Sequence, residues 1–315
     1  MKKLLITRQL PEANLAAARA RYDVTVRDST DGLTEVEAAQ ALADYDAILP
    51  TLGDQFTAGA FIGDLRCGVL ANFGVGYNHI DVEAAGMAGV LVSNTPDVVT
   101  DATADIGLTL ILSACRRSGE GERLVRADKW IGWGPTQMLG THVTGKTVGI
   151  VGMGRIGQAV ARRCHYGFEM PVKFYNRSPK TVDFPAEQVD SLADLMGACD
   201  IIVVTVPGGG SNTHLINAAA LAAMKPTGIF VNIARGDVVD EDALIHALQT
   251  GQIGGAGLDV FAHEPHVPDA FRALENVVLL PHLGTAALEV REAMGQMALD
   301  NIIAWEEGRP LPQAV

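Results

Sequence analysis

The chain has 315 residues, 48% of them hydrophobic and 19% charged, which is enough length and apolar content for two sizeable cores. Its net charge of −13 argues against a nucleic-acid-binding surface or an anionic-membrane surface. Cys67, Cys115, Cys164 and Cys199 are scattered with no C-x-x-C spacing, so they read as reduced core thiols of a cytoplasmic protein, not as disulfides or zinc ligands.

The opening MKKLLITRQL carries an apolar run, Leu4 to Ile6, too short for a signal peptide, and it reads as a first strand. Short β-branched runs follow at VTVRD (24–28), AILPT (47–51), VLANFGV (69–75) and VLVSN (90–94), separated by Ala-rich helical stretches. Next comes DATADIGLTLILSACRRS (101–118), apolar around much of its circumference and therefore a buried helix; its IGLTLILSAC core is too short to span a membrane. The segment 119–145, with Trp130 and Trp133, is long for a connection, and is expected to be an arm that buries its tryptophans against a second copy of the chain. A second set of strands is expected at TVGIVG (147–152), VKFYN (172–176), DIIVVTV (200–206), GIFVNIA (228–234), GAGLDVF (255–261) and VVLLP (277–281). The last helix follows, and is expected to return to the first domain. Alternating strands and helices predict an α/β protein of two doubly wound parallel-sheet domains: a Rossmann-type cofactor domain at 100–286, and a smaller flavodoxin-like substrate domain at 1–99 and 287–315.

KTVGIVGMGRIG (146–157) places Gly152, Gly154 and Gly157 as G-x-G-x-x-G between a strand and a helix, the context that makes this motif informative. Gly152 serves a tight turn, Gly154 lets backbone approach a pyrophosphate, and Gly157 allows close helix–strand packing, with Arg155 and Ile156 beside the anion. The next strand ends in FYNRSPK (174–180), where an acid that would accept from a ribose hydroxyl is replaced by Asn176, Arg177 and Ser178, with Lys180 behind. Those groups suit a 2′-phosphate, so NADP(H) is expected to be preferred over NAD(H).

Three strands of the second set run into groups suited to chemistry: Arg235, Glu264 and His282. A planar guanidinium can hold a carboxylate and polarise a neighbouring carbonyl. A histidine can protonate the alkoxide left by hydride delivery, and a carboxylate can orient that ring. Individually each could be innocent; Arg235, for example, could merely pair with Asp237.

Together, VGMGRIG (151–157), NIARGDVVDEDAL (232–244), GLDVFAHEP (257–265), PHLGTA (281–286), NFGVGYNHID (72–81) and NTPDVVTDATAD (94–105) resemble the D-isomer-specific 2-hydroxyacid dehydrogenases across nearly the whole chain. GWGPTQMLG (132–140) directs the resemblance toward the glyoxylate/hydroxypyruvate reductases. It implies reduction of a small 2-oxoacid to the D-2-hydroxyacid by a homodimer. Arg235 would bind substrate, His282 would act as acid/base and Glu264 would be its partner. Leu52, Gly53 and the amides of Val75 and Gly76 would lie on the substrate side. Thr103, Val206, Pro207, Thr213, Ile233, Ala234, Asp259 and Gly284 would face the cofactor. One departure is PGGGSNTHLIN (207–217), with three glycines where the family usually has bulkier residues.

Competing readings are weaker. HEPH (263–266) lacks the helical histidine spacing of a zinc protease, so no metal is expected. His79, after GVGYN, reads as part of a substrate-side loop rather than as the proton donor. A dinucleotide-sensing scaffold or corepressor-like protein would be expected to carry a basic or disordered extension. A regulatory domain like that of many phosphoglycerate dehydrogenases would not fit, and formate dehydrogenases pair the histidine with glutamine, not glutamate. A 2-hydroxyacid dehydrogenase for a bulkier substrate stays open.

Overall fold

The computed structural model describes residues 1–315, which divide into two compact units, Met1–Val99 with Thr285–Val315, and Thr100–Gly284. In the first unit, β1 (Lys3–Ile6), β2 (Asp23–Val26), β3 (Ala47–Leu49), β4 (Val69–Ala71) and β5 (Leu91–Ser93) form one sheet in the order β2-β1-β3-β4-β5, every pair parallel. That is the flavodoxin-like order. Helices α1 (Glu12–Arg19), α2 (Glu35–Asp44) and α3 (Val82–Met87) connect the strands. Two of them begin at side-chain caps: Thr34 and Glu37 form a reciprocal capping box on α2, and Asp81 caps α3.

The second unit opens with α4 (Thr100–Arg116) and α5 (Ser118–Arg126). Its strands are β6 (Val148–Val151), β7 (Val172–Tyr175), β8 (Glu187–Gln188), β9 (Ile201–Val204), β10 (Ile229–Asn232), β11 (Gly255–Leu258) and β12 (Val277–Leu279). They lie β12-β11-β10-β9-β6-β7-β8, all parallel, which is the doubly wound dinucleotide-binding order with one strand added. α6 (Arg155–Phe168), α7 (Leu192–Ala198), α8 (Ala218–Ala222), α9 (Glu241–Gln249) and α10 (Asp269–Arg272) lie between the strands in sequence. β6, β9, β10 and β11 are buried at every position, as strands covered on both faces must be. α4 packs Ala104, Leu110, Ile111 and Cys115 into one of this unit's two cores.

α11 (Leu288–Glu306) closes the chain within the first unit, where Ala298, Leu299 and Ile302 join the core formed by Leu4, Ile6 and Leu15. All four cysteines are free and buried. Burial pushes the Cys67, Cys164 and Cys199 thiols up to about 12 and Cys115 to about 11, the behaviour of inert core groups. No helix is long and apolar enough to cross a membrane.

Two features differ from the expectation. The second sheet has seven strands rather than six, because the two-residue β8 pairs with Lys173 and Phe174 at the edge. And the segment after α4 is not wholly irregular: α5 forms within it without burying a residue.

Candidate active site

In a parallel sheet, loops leaving the carboxyl ends of neighbouring strands converge on one edge, and here that edge collects the chemistry. At the end of β6 the chain turns at Gly152, whose φ is +96°, a left-handed conformation that favours glycine. A Cβ at Gly157 would lie 2.2 Å from the Gly152 carbonyl oxygen and 2.9 Å from Oγ1 of Thr205, so helix α6 can approach the strand only with glycine there. Thr205 completes the turn by donating to the Gly152 carbonyl at 2.6 Å. Gly154, by contrast, is the N-cap of α6, and a Cβ on it would meet nothing within 4 Å. No side chain caps this helix, so its first-turn amides stand beside an open space shaped for backbone contact with an anion. The residues present therefore fit a dinucleotide.

At the end of β7, Asn176 accepts from the Met153 amide at 3.3 Å and donates to the Ser178 carbonyl at 2.9 Å. It ties the glycine turn to the 176–178 loop. Arg177 is exposed, makes no ion pair, and donates from Nη1 to the Ser211 hydroxyl at 2.8 Å. Its charge is thus left uncompensated, with Ser178 and Lys180 exposed nearby in the chain.

β10 delivers Arg235. Asn232, buried at the strand's end, donates to the Arg235 carbonyl at 2.9 Å and accepts from the Ala234 amide at 3.0 Å, fixing the turn. The guanidinium donates to the Ala234 carbonyl at 2.7 Å. Burial lowers its pKa below the ordinary arginine value, against the opposing charges of Glu264 and Asp237. The innocent pairing with Asp237 is not found, because Asp237 accepts from the Gly209 amide at 2.6 Å and forms no ion pair with Arg235. Gly236 is where the chain closes on the next loop: a Cβ there would fall 1.9 Å from the Phe261 carbonyl carbon.

Beyond β11, Glu264 accepts from the Phe261 amide at 3.0 Å through Oε1 and meets His282 Nδ1 at 2.7 Å through Oε2. Burial alone would raise the Glu264 carboxyl. The His282 hydrogen bond and charge, the Phe261 amide and Arg235 outweigh it and hold Glu264 below the usual carboxylate range. His282 itself has φ +55°, an uncommon conformation for a residue with a side chain. Asp259 over-determines it: buried at the end of β11, it receives the His282 amide on its carbonyl at 2.9 Å. Its carboxylate receives the Leu283 and Gly284 amides at 2.7 and 2.9 Å. Burial raises the Asp259 pKa, and those amides and the His282 charge only partly offset it.

The second unit thus gathers Arg235, Glu264 and His282, brought within one unit by β10, β11 and the loop after β12. Ile233, Ala234 and Thr103 are buried, and a Cβ on Gly284 would meet Thr103 at 3.5 Å. Val206 and Pro207 follow β9, and Thr213 is exposed. A cavity of about 320 Å³ lined by Ser113, Arg117, Glu120, Gly254 and Asn276 lies toward the amino ends of β11 and β12, away from this edge.

In the first unit, Leu52 is 42% exposed and Gly53 has φ +96° after β3. After β4, Asn72 donates to the carbonyls of Gly74 and Gly76 at 3.0 and 3.1 Å, and Asn94 donates to that of Val75 at 2.9 Å. With those carbonyls held, the Val75 and Gly76 amides donate to no protein acceptor. His79 belongs to this same loop and accepts from the Phe56 amide through its carbonyl at 3.0 Å. Asn72, Asn94, Asn232 and Ser211 were not singled out in the sequence. For the three asparagines the available signal was a polar residue at or directly after a strand's end; Ser211, seven residues beyond β9, had none.

The doubly wound sheet, the unbranched glycine turn and the Arg/Glu/His set on the same edge define a dinucleotide-binding α/β oxidoreductase. The comparisons with known proteins agree. The chain belongs to the D-isomer-specific 2-hydroxyacid dehydrogenase family, whose NAD-binding-domain model matches residues 108–284. It is 40% identical over 319 aligned positions to a glyoxylate reductase of Thermococcus onnurineus, covering 99% of this chain and 95% of that one. It is 35% identical to a glycerate dehydrogenase of Hyphomicrobium methylovorum, covering 100% and 99% of the two chains. Among solved structures it resembles the NADPH-dependent glyoxylate/hydroxypyruvate reductase of Sinorhizobium meliloti in complex with NADP and malonate. There the TM-score is 0.89 at 33% identity, with 100% of this chain and 96% of that chain covered.

Proposed function

We propose that the protein is an NADPH-dependent reductase that converts a small 2-oxoacid, glyoxylate or hydroxypyruvate, to the D-2-hydroxyacid. The observation that carries this reading is the 2.7 Å hydrogen bond between His282 and Glu264 in the unit that also presents Arg235 and the open glycine turn. The names of the similar proteins, glyoxylate reductase and glyoxylate/hydroxypyruvate reductase, support it.

The first-turn amides of α6, at Arg155 and Ile156, would hold the pyrophosphate, and Arg177 with Ser178 the 2′-phosphate. Bound there, NADPH supplies the hydride. Arg235 binds the substrate carboxylate and polarises the carbonyl through its planar fork. His282 faces Glu264 through Nδ1, which leaves Nε2 to give its proton to the nascent alkoxide. Glu264 fixes the ring's orientation through its 2.7 Å contact with Nδ1. Four buried thiols suit a reducing compartment, in keeping with a cytoplasmic enzyme.

An initial-rate panel tests the reading. The protein should reduce glyoxylate and hydroxypyruvate with NADPH, more efficiently than with NADH and more efficiently than bulkier 2-oxoacids. Tight NADPH binding with no turnover of any 2-oxoacid would point instead to a sensing scaffold.

The same reading makes residues 119–145 a dimerisation arm. α5 buries nothing, and Trp130, Ile131, Trp133 and Leu139 are exposed in the single chain, an apolar group that water disfavours. Sedimentation equilibrium should return twice the chain mass, and Trp133→Glu should shift it toward the monomer. A monomeric wild type sinks the arm.

A further inference from the structure

The turn from Pro207 to Asn212 carries Ser211, the partner of Arg177, but its three glycines have had no part in the chemistry above. It lies directly on Arg235: a Cβ at Gly208 would come 2.8 Å from Arg235 Cγ, 2.9 Å from its Cβ and 2.7 Å from Asp237 Oδ1. Gly209 and Gly210 follow with φ of +75° and +55°, so the turn is tight and left-handed. Asp237 holds the turn at one point and the chain just beyond it at another. Its carboxylate accepts from the Gly209 amide at 2.6 Å, and its carbonyl accepts from the His214 amide at 2.9 Å. Asn212 closes the turn on itself by donating to the Pro207 carbonyl at 2.9 Å.

We propose that Asp237 is a positioning residue for Arg235: its carboxylate pins the Gly208–Gly210 turn against the aliphatic stem of the arginine, so that the guanidinium keeps one place on the reactive edge. Gly208 is then a packing requirement of the substrate arginine. A bulkier residue at 208 would displace the stem, and a released turn would let it swing. The inference rests on the substrate-binding role proposed for Arg235.

Asp237→Ala removes the Gly209 bond but keeps the backbone bond from His214, so the fold is retained. Asp237→Asn keeps an acceptor oxygen in the same place without the charge. Asp237→Ala should lower kcat/KM for glyoxylate by about tenfold to a hundredfold, as a displaced binding group does. The loss should fall mainly on KM, with the NADPH dissociation constant, read by fluorescence, within about twofold of wild type. Gly208→Ala should behave alike, and Asp237→Asn should restore most of the loss. An unchanged KM, an equal rise in the NADPH dissociation constant, or an asparagine variant as impaired as the alanine one overturns the proposal. A crystal structure of Asp237→Ala decides independently of turnover. Arg235 should leave its place against residue 208, and an undisturbed Arg235 overturns the inference. A wild type that reduces no 2-oxoacid removes the functional reading instead, and leaves this structural arm to judge Asp237.

Discussion

Replacing His282 with asparagine should slow 2-oxoacid reduction by about a hundredfold to ten-thousandfold, the range general acid catalysis supplies, while NADPH binds as before. Asparagine is the informative choice because its side-chain amide occupies the place of ring Nδ1. It can still donate to Glu264, whose half-buried carboxylate sits 2.7 Å from that nitrogen. The buried charge keeps a partner, so the fold does not bear the cost of an unpaired carboxylate. What disappears is the second ring nitrogen and the proton it carries. Because the same proton is given up in reduction and taken back in oxidation, both directions should be slowed in the variant. Single-turnover rates with NADPH fluorescence as a binding control read both effects. Near-normal turnover would remove His282 from its role.

Arg177→Ala should raise the Michaelis constant for NADPH by about tenfold to a hundredfold, the equivalent of one or two charge-assisted hydrogen bonds to a phosphate. That for NADH should move by no more than about threefold, since only a 2′-phosphate uses the guanidinium. The structure favours a clean result. Arg177 makes no ion pair, and its partner Ser211 is exposed, so truncation strands no buried group. Asn176, which ties the loop to the glycine turn, is left intact. Coenzyme titrations at saturating glyoxylate measure the two constants. An equal loss with both coenzymes would mean that Arg177 serves the loop rather than the phosphate.

Much of this site was legible in one dimension because its signals are local. A fully buried parallel strand must be a short apolar run, as in VGIV of β6 or IFVN of β10, and a turn against a helix must use glycine, as at Gly152 and Gly157. Arg235, Glu264 and His282 could be read as candidates because each follows such a run, and the strand ends of a doubly wound sheet share one edge. α5 and β8 were missed for matching reasons. SGEGERLVR has two glycines early and no buried face, and Glu187–Gln188 is a polar two-residue edge pair with no periodicity.

The amino-acid order by itself determined the α/β class, the glycine turn and which residue types stand at each strand end, because backbone conformation and burial periodicity are set by neighbours in the chain. Only the tertiary structure decided the partners. Asp237 could equally have paired with Arg235 two residues away, yet its carboxylate took an amide 28 positions back. Asp259 reached 24 and 25 residues forward to hold His282 in a left-handed conformation. Such choices depend on which strand lies beside which. Sheet order is settled by packing the whole core, and no local stretch contains it.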